Sequence, residues 1–195
     1  MMNTVQEKKI IILTAPSGAG KTTIKTRLLK EMADTLSFSI SATTRKIRSG
    51  ESDGVDYFFV TEATFQNNIE NKRFIEWEMV YPGMYYGTSV EEINRIWQEG
   101  KTPLLDIDVK GALNVKKLYG NQVLSIFIEP PSLEILEQRL TKRGTDSIEN
   151  ISMRVNKARE EMNYKNSFDR VILNDDIEKA TAETALIIHQ FIDQQ

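Results

Sequence analysis

The residues from Lys8 to Thr23 (KKIIILTAPSGAGKTT) join an apolar run to a glycine-rich turn and a Lys-Thr pair. Gly18 and Gly20 allow backbone angles at which successive N–H groups point inward at one anion. The segment after Gly20 has helical character, so the positive end of a helix dipole would lie at the same place. Lys21 supplies a mobile positive charge, and Thr22 supplies a hydroxyl that can reach a magnesium ion. The stretch therefore predicts a phosphate-binding loop of the Walker A type.

The residues predicted to bind the phosphates of a nucleotide are Ala15, Pro16, Ser17, Gly18, Ala19, Gly20, Lys21, Thr22 and Thr23. The pattern G-x-x-x-x-G-K-[ST] asks for glycine at its first position, where this chain has Ala15. A chance Gly/Ser/Thr turn between a core strand and a helix is the alternative interpretation. The strand before the turn and the helix after it favour phosphate binding.

Asp106 and Asp108 follow an apolar segment that reads as a buried strand. Their spacing of two places both carboxylates on the same side of the strand. At the end of such a strand a carboxylate lies beside the phosphate-binding loop, where it can hold magnesium directly or through water. The alternative is a pair of solvated turn aspartates.

A charged loop further along the chain carries Arg45 and Arg48, and two tyrosines, Tyr57 and Tyr86, follow it. Guanidinium donors match phosphate oxygens in pairs, and a tyrosine hydroxyl can add a neutral donor to the same group. Taken alone, each is more typical of a surface charge or a half-buried ring.

Three further arginines, Arg139, Arg143 and Arg154, lie around a break at Gly144. Arginines stabilise a phosphoryl group as its charge spreads during transfer, although the same residues could form a solvated helix face.

Strand-like and helix-like segments alternate along most of the chain. Strands are predicted at residues 10–13, 36–41, 102–107, 123–128 and 170–173, and helices at 21–33, 111–118, 133–140, 148–162 and 178–192. Short strands at 57–60 and 74–80 and a helix at 61–71 interrupt this alternation. The pattern predicts an α/β fold with a central parallel sheet, an inserted antiparallel unit and active loops at the carboxyl ends of the strands.

The chain has 195 residues, of which 40% are hydrophobic and 27% charged, so we expect one compact unit. Its net charge of −3 argues against general binding of nucleic acid. The absence of cysteine excludes thiolate chemistry, and the one histidine, His189, is expected to be a structural or surface residue. The start of the chain lacks the apolar core of a signal peptide, and no apolar run is long enough to span a membrane. We therefore expect a cytoplasmic protein.

Five segments extend the pattern beyond the phosphate-binding loop: SISATTRKIRSGESDGVDYFFV, FIEWEMV, YYGTS, LLDIDVKG and KRGTD, in this order. With the loop they resemble the guanylate kinase family from about Lys8 to Ile192. The resemblance implies a P-loop core at residues 8–40 and 89–195, a GMP-binding insertion at 41–88 and a mobile lid at 139–154. It also implies transfer of the γ-phosphoryl group of ATP to GMP, and to dGMP, with Mg²⁺ as the cofactor.

The resemblance assigns roles residue by residue. The GMP-binding positions of the family fall on Ser41, Arg45, Arg48, Tyr57, Glu76, Tyr86, Thr88 and Asp108. The catalytic positions fall on Lys21, Arg45, Arg139, Arg143 and Arg154, and the metal positions fall on Thr22 and Asp106. Besides Ala15, the chain departs from the family pattern at Ile47, Thr88 and Lys110, and none of these changes removes a charged group from the predicted site.

The chemistry of guanine agrees with this assignment of Glu76. Guanine presents two adjacent donors, N1–H and the exocyclic amine, which one carboxylate can accept side by side. Adenine presents an acceptor at N1, which a carboxylate repels. A strand glutamate that faces water is the alternative interpretation.

Two other functions stay open: a catalytically inactive protein-binding module with this fold, and a related kinase for another phosphorylated acceptor. The sequence does not determine the oligomeric state.

Overall fold

The computed structural model of the protein describes residues 8–143 and 148–194. The strands are β1 (Ile10–Thr14), β2 (Leu36–Phe38), β3 (Ala42–Thr43), β4 (Phe58–Phe59), β5 (Phe74–Tyr81), β6 (Met84–Ser89), β7 (Thr102–Asp106), β8 (Val123–Glu129) and β9 (Arg170–Leu173). The helices are α1 (Lys21–Glu31), α2 (Glu62–Glu70), α3 (Val90–Gln98), α4 (Val109–Tyr119), α5 (Leu133–Arg143), α6 (Ile148–Met162) and α7 (Ile177–Asp193).

The central sheet has the strand order β2-β7-β1-β8-β9, and all of its pairs are parallel. Residues of β1 alternate between two apolar layers, since Ile11 and Leu13 pack with α1 and α7 while Ile10 and Ile12 pack with α3 and α4. All four side chains are fully buried. Burial on both faces explains why β1 is apolar throughout, as is typical of a parallel strand between two helix layers.

A second, smaller sheet has the order β4-β3-β6-β5. Its β3–β6 and β5–β6 pairs are antiparallel, and the short β3–β4 pair is parallel. Phe65 of α2 stacks on Phe74, with ring centroids 4.4 Å apart, and so attaches the helix to this sheet. The predicted fold class, a parallel α/β core with an additional antiparallel unit, is confirmed.

Element boundaries differ from the predictions at two points near the site. Strand β2 ends at Phe38 rather than at Ser41, because the chain leaves the central sheet there and enters the second sheet at Ala42. Helix α4 begins at Val109 rather than near Gly111, because the Asp108 carboxylate accepts the Gly111 N–H at 2.8 Å and caps the helix. None of the helices within the described residues is long and apolar enough to cross a bilayer.

Lys9 links the start of the chain to the end of α7. Its ammonium donates to the carbonyl oxygens of Phe191 and Ile192, both at 3.1 Å, and to that of Gln194. These are carbonyls that a helix end leaves without intrahelical partners, and a cation is favoured there by the helix dipole.

The change Lys9→Met is expected to lower the free energy of unfolding by about 1–2 kcal/mol, because it keeps the aliphatic stem and removes the charged donor. Urea denaturation would measure this loss as a lower midpoint at unchanged slope. Lys46→Met, in an exposed loop, is the matched control. Equal midpoints for the two variants would contradict the prediction.

Candidate active site

A cavity of about 470 Å³ lies between the carboxyl ends of the central strands, the second sheet and helix α6. Ligands of open α/β sheets bind at this edge. The predicted site residues that line the cavity are Ala15, Pro16, Ser17, Gly18, Gly20, Lys21, Thr22, Ser41, Tyr57, Glu76, Tyr86, Asp106, Asp108 and Arg154. The structure thus brings together most of the residues that the sequence singled out, although they come from distant segments of the chain.

The loop between β1 and α1 has the backbone geometry of an anion cradle. Gly18 and Gly20 adopt φ values of 95° and 96°, which side chains disfavour. A Cβ on Gly20 would also lie 2.2 Å from the amide nitrogen of Asn174. That amide donates to the Ala19 carbonyl at 2.6 Å and holds the loop from behind. Gly20 caps α1 without a side-chain bond, and no acidic residue lies in the first turn, so the helix presents uncapped N–H groups to the cavity.

Ala15 takes the place of the first glycine of the pattern without strain. Among the described residues other than glycine, only Lys72 has a positive φ, so the backbone at position 15 suits an alanine. Its methyl group packs into the apolar layer of α1 and α7. Ala19 is fully buried, and Thr23 is exposed outside the cavity lining.

Asp106 lies between two lysines of α1. Its Oδ1 is 2.5 Å from Lys21 Nζ, and its Oδ2 is 2.8 Å from Lys25 Nζ. Burial alone would raise the pKa of Asp106, but the two ammonium groups outweigh burial and lower the pKa to about 2. Lys25 also lies over the ring of Phe38, 4.1 Å from its centroid. The sequence interpretation missed Lys25, although its position four residues after Lys21 places it on the same helix face.

Glu76 is a buried carboxylate on the opposite wall, with 8% of its surface exposed. The Thr88 hydroxyl, which is itself buried, donates to Glu76 Oε1 at 2.5 Å. Burial raises the pKa of Glu76 to about 7, against the opposing effect of this hydrogen bond. Ser41 and Asp108, two more of the residues predicted to bind GMP, line the same cavity as Glu76.

Of the four residues predicted to bind the phosphate of GMP, the two tyrosines line the cavity and the two arginines do not. Tyr57 and Tyr86 line the cavity with ring centroids 5.8 Å apart, whereas Arg45 and Arg48 lie outside the lining. Arg45 is buried behind Tyr57, with its guanidinium 4.9 Å from the ring centroid, and Arg48 is exposed.

Glu51 holds this arginine, and the sequence interpretation missed it. Arg45 Nη1 and Nη2 donate to the two oxygens of Glu51 at 2.7 and 2.5 Å. Glu51 also accepts the backbone N–H of Arg48 at 2.9 Å. The hydrogen bond from Arg45 is the main reason that the pKa of Glu51 falls to about 2. The arginine is thereby fixed beside the cavity by a charge partner six residues away.

Two of the predicted lid arginines, Arg139 and Arg154, lie close to the loop between β1 and α1. Arg154 lines the cavity, and its Nη1 donates to the Ser17 hydroxyl at 3.0 Å. Arg139 contacts the back of the loop, because it donates to the carbonyls of Ala19 and Asn174 at 3.5 and 3.1 Å. The side chain of Arg143 and lid residues 144–147 lie outside the part of the chain that the structure describes.

Helix α6 contributes two further cavity residues that the sequence interpretation missed, Lys157 and Glu161. The Lys157 ammonium is 3.8 Å from Glu161 Oε1, and burial raises the pKa of Glu161. Both lie on the helix face of Arg154, at spacings of three and seven, so helical periodicity from Arg154 is the signal that could have found them.

A Walker A loop at the carboxyl end of a central parallel strand, with a second sheet beside it, defines a P-loop nucleotide-binding protein. Comparison with known proteins narrows this class. The model of the family described as "Guanylate kinase" matches residues 7–191. The chain therefore belongs to the guanylate kinase family.

Individual relatives agree with this assignment. A guanylate kinase of Bacteroides thetaiotaomicron is 49% identical over 96% of this chain and 91% of its own length. One of Chlorobium chlorochromatii is 48% identical over 94% of this chain and 96% of its own. The crystal structure of guanylate kinase from Anaplasma phagocytophilum superposes with a TM-score of 0.76 at 30% identity, covering 96% of this chain and 87% of that one.

Proposed function

We propose that the protein transfers the γ-phosphoryl group of ATP to GMP, and to dGMP, and so forms ADP and the corresponding diphosphate for guanine nucleotide synthesis and recycling. The observation that carries this proposal is that Lys21 and Glu76 line the same cavity. Lys21 belongs to a loop built for phosphates, and Glu76 is a buried acceptor suited to guanine. Family membership supports the same pair of substrates.

The donor half of the site consists of the residues from Ala15 to Thr23 and the end of β7. The N–H groups of this loop and the ammonium of Lys21 would bind the phosphates of ATP. Magnesium fits the donor set, because it prefers hard oxygen ligands and is usually held by one or two protein groups together with phosphate oxygens and water. The Thr22 hydroxyl and the Asp106 carboxylate would hold it, with Asp106 Oδ1 available once the Lys21 ammonium has exchanged it for phosphate oxygens. When bound, the ion supplies positive charge to the phosphate oxygens.

The acceptor half consists of the second sheet and the start of α4. Glu76 would accept the guanine N1–H and exocyclic amine, with Ser41, Thr88 and Asp108 around the base. Tyr57 and Tyr86 would donate to the phosphate of GMP, with Arg45 and Arg48 supplying positive charge. For Arg45 to bind the phosphate directly, its guanidinium would have to share its donors between Glu51 and the phosphate, or exchange one for the other.

The reaction needs no general base, because the attacking oxygen belongs to a GMP phosphate that is already anionic. That oxygen forms the new bond to the γ-phosphorus while the bond from the γ-phosphorus to the β-bridging oxygen breaks, and ADP leaves with the electron pair. The protein contributes position and positive charge, which we assign to Lys21, Arg45, Arg139, Arg143 and Arg154. The insertion at residues 41–88, the lid at 139–154 and the cytoplasmic location stay predictions.

The two alternative functions are less well supported. A protein-binding module has no need of the phosphate-loop geometry that Gly18, Gly20 and Lys21 provide here. A kinase for another acceptor would have no evident use for a buried glutamate paired with Thr88.

A coupled assay of ADP release tests the proposal with GMP, AMP, UMP and CMP as acceptors, each with and without Mg²⁺. We expect GMP with Mg²⁺ to exceed every other combination by at least about 10²-fold, because a site built for hydrogen bonds rejects bases that leave its buried groups unpaired. ADP release no greater with GMP than with buffer would contradict the proposal. A higher rate with another monophosphate would favour the second alternative.

A further inference from the structure

Gly111 lies in the first turn of α4 and faces Oε2 of Glu76. A Cβ built on Gly111 would be 2.7 Å from Glu76 Oε2, 3.4 Å from Glu76 Cδ and 3.3 Å from Asp108 Oδ1. The first of these distances is shorter than side-chain carbons tolerate, so one of the two groups would have to move. Glu76 Oε1 is already occupied by the Thr88 hydroxyl, so Oε2 is the oxygen that approaches position 111.

The backbone does not explain a glycine at this position. The described glycines with positive φ are Gly18, Gly20, Gly50, Gly54, Gly83, Gly100 and Gly120, and Gly111 is not among them. Its conformation is helical, and in a helix glycine is less favourable than alanine because it loses more conformational freedom on folding. The reason for glycine here is therefore the space beside it, which the Glu76 carboxylate fills.

We propose that Gly111 is a specificity-determining residue, because its lack of a side chain lets the Glu76 carboxylate stand where both guanine donors can reach it. This inference rests on the proposed function. Glu76 is buried and held by Thr88, so a methyl group at position 111 would displace Oε2 rather than be accommodated by free rotation. Displacement of one oxygen weakens the side-by-side pairing with guanine, while the ATP half of the site is left intact.

The variant Gly111→Ala tests this inference through three measurements: calorimetric affinity for GMP, calorimetric affinity for ATP, and the urea midpoint. We expect GMP affinity to fall at least about 10-fold and ATP affinity to stay within about twofold, while the urea midpoint shows that the variant is folded under the conditions of the binding measurements. Asn114→Ala, on the exposed face of the same helix, is the control for helix propensity alone. It should leave both affinities unchanged.

A double-mutant cycle establishes whether the effect acts through Glu76. In a Glu76→Ala background, Gly111→Ala should cause no further loss of kcat/KM for GMP, because the obstructed carboxylate is absent. An equal loss in both backgrounds would overturn the inference, as would wild-type GMP affinity in the single variant. A lowered midpoint with parallel loss of ATP affinity would show a packing role instead and would also overturn it. If the wild-type protein binds no GMP, the proposed function itself is overturned. If the wild-type protein binds GMP, the results for the Gly111 variant test only the inference on Gly111.

Discussion

Lys21→Ala is expected to lower turnover about 10²- to 10³-fold while the protein remains folded. The reason is that one charged donor aimed at a developing phosphoryl charge contributes about 3–4 kcal/mol to the barrier in a site of this kind. In the described structure the same ammonium pairs with Asp106 at 2.5 Å, so the lysine must exchange this carboxylate for phosphate oxygens when ATP binds. Measurement of kcat with saturating ATP and GMP gives the loss directly.

Stability should change little in this variant, because Lys25 remains 2.8 Å from the other oxygen of Asp106 and still compensates its charge. Lys30→Ala removes an exposed lysine from the last turn of the same helix and is the matched control, with turnover expected at the wild-type level. Wild-type turnover in Lys21→Ala would refute the assignment of Lys21. A large fall in the urea midpoint would show that the loss of turnover comes from unfolding and not from the missing ammonium group.

Local patterns were sufficient to predict the strand, the glycine-rich turn and the helix that form one wall of the cavity. The run Ile10–Thr14, the two glycines and the Lys-Thr pair are adjacent in sequence, and each has a backbone or charge requirement that its residue type reveals. The same holds for the parallel core, because strands buried on both faces are apolar at every position. These features depend on a few neighbouring residues, so they can be predicted without knowledge of the fold.

The partners of the charged residues could not be predicted in this way. Asn174 holds the carbonyl of Ala19, which is 155 residues away in sequence, and only the packing of β9 beside the loop brings them together. Glu51 is only six residues from Arg45, and Lys25 lies one helical turn after Lys21. Charged residues are common in loops and helices, however, and in general many of them form no ion pair. Which of these charges form pairs depends on burial and side-chain direction, and only the folded chain determines both.

Glu76→Gln is expected to reduce the preference for GMP over AMP by about 10²- to 10³-fold, measured as the ratio of kcat/KM values. The amide would present a donor to one of the two guanine donors, and each charge-assisted bond lost is worth about 1.5–3 kcal/mol. The same amide can accept from the adenine amine and donate to adenine N1. Glu70→Gln, at the exposed end of α2, is the matched control and should keep the wild-type ratio. An unchanged ratio in Glu76→Gln would contradict the assignment of Glu76 to guanine recognition.

The same substitution is expected to stabilise the nucleotide-free protein, mainly at high pH. The pKa of Glu76 is about 7 in the folded protein against an ordinary value of 4.5, so the folded state binds the proton more tightly than the unfolded state does. The stability that comes from this group is fully present below pH 4.5 and is lost as the pH rises through 7. A pKa difference of this size is worth about 3 kcal/mol, and glutamine, which does not ionise, avoids the loss.

Urea midpoints at pH 5 and pH 8 measure this difference, with the gain of Glu76→Gln over wild type expected mainly at pH 8. Equal gains at both pH values would show that the carboxylate is not perturbed by burial. Opposite changes in stability and selectivity would follow from one cause, the burial of an ionised carboxylate with Thr88 as its hydrogen-bond donor. Burial shields the Glu76 carboxylate from water, so the carboxylate binds most strongly to a base that supplies two hydrogen-bond donors. In this way burial of Glu76 would make the site select guanine.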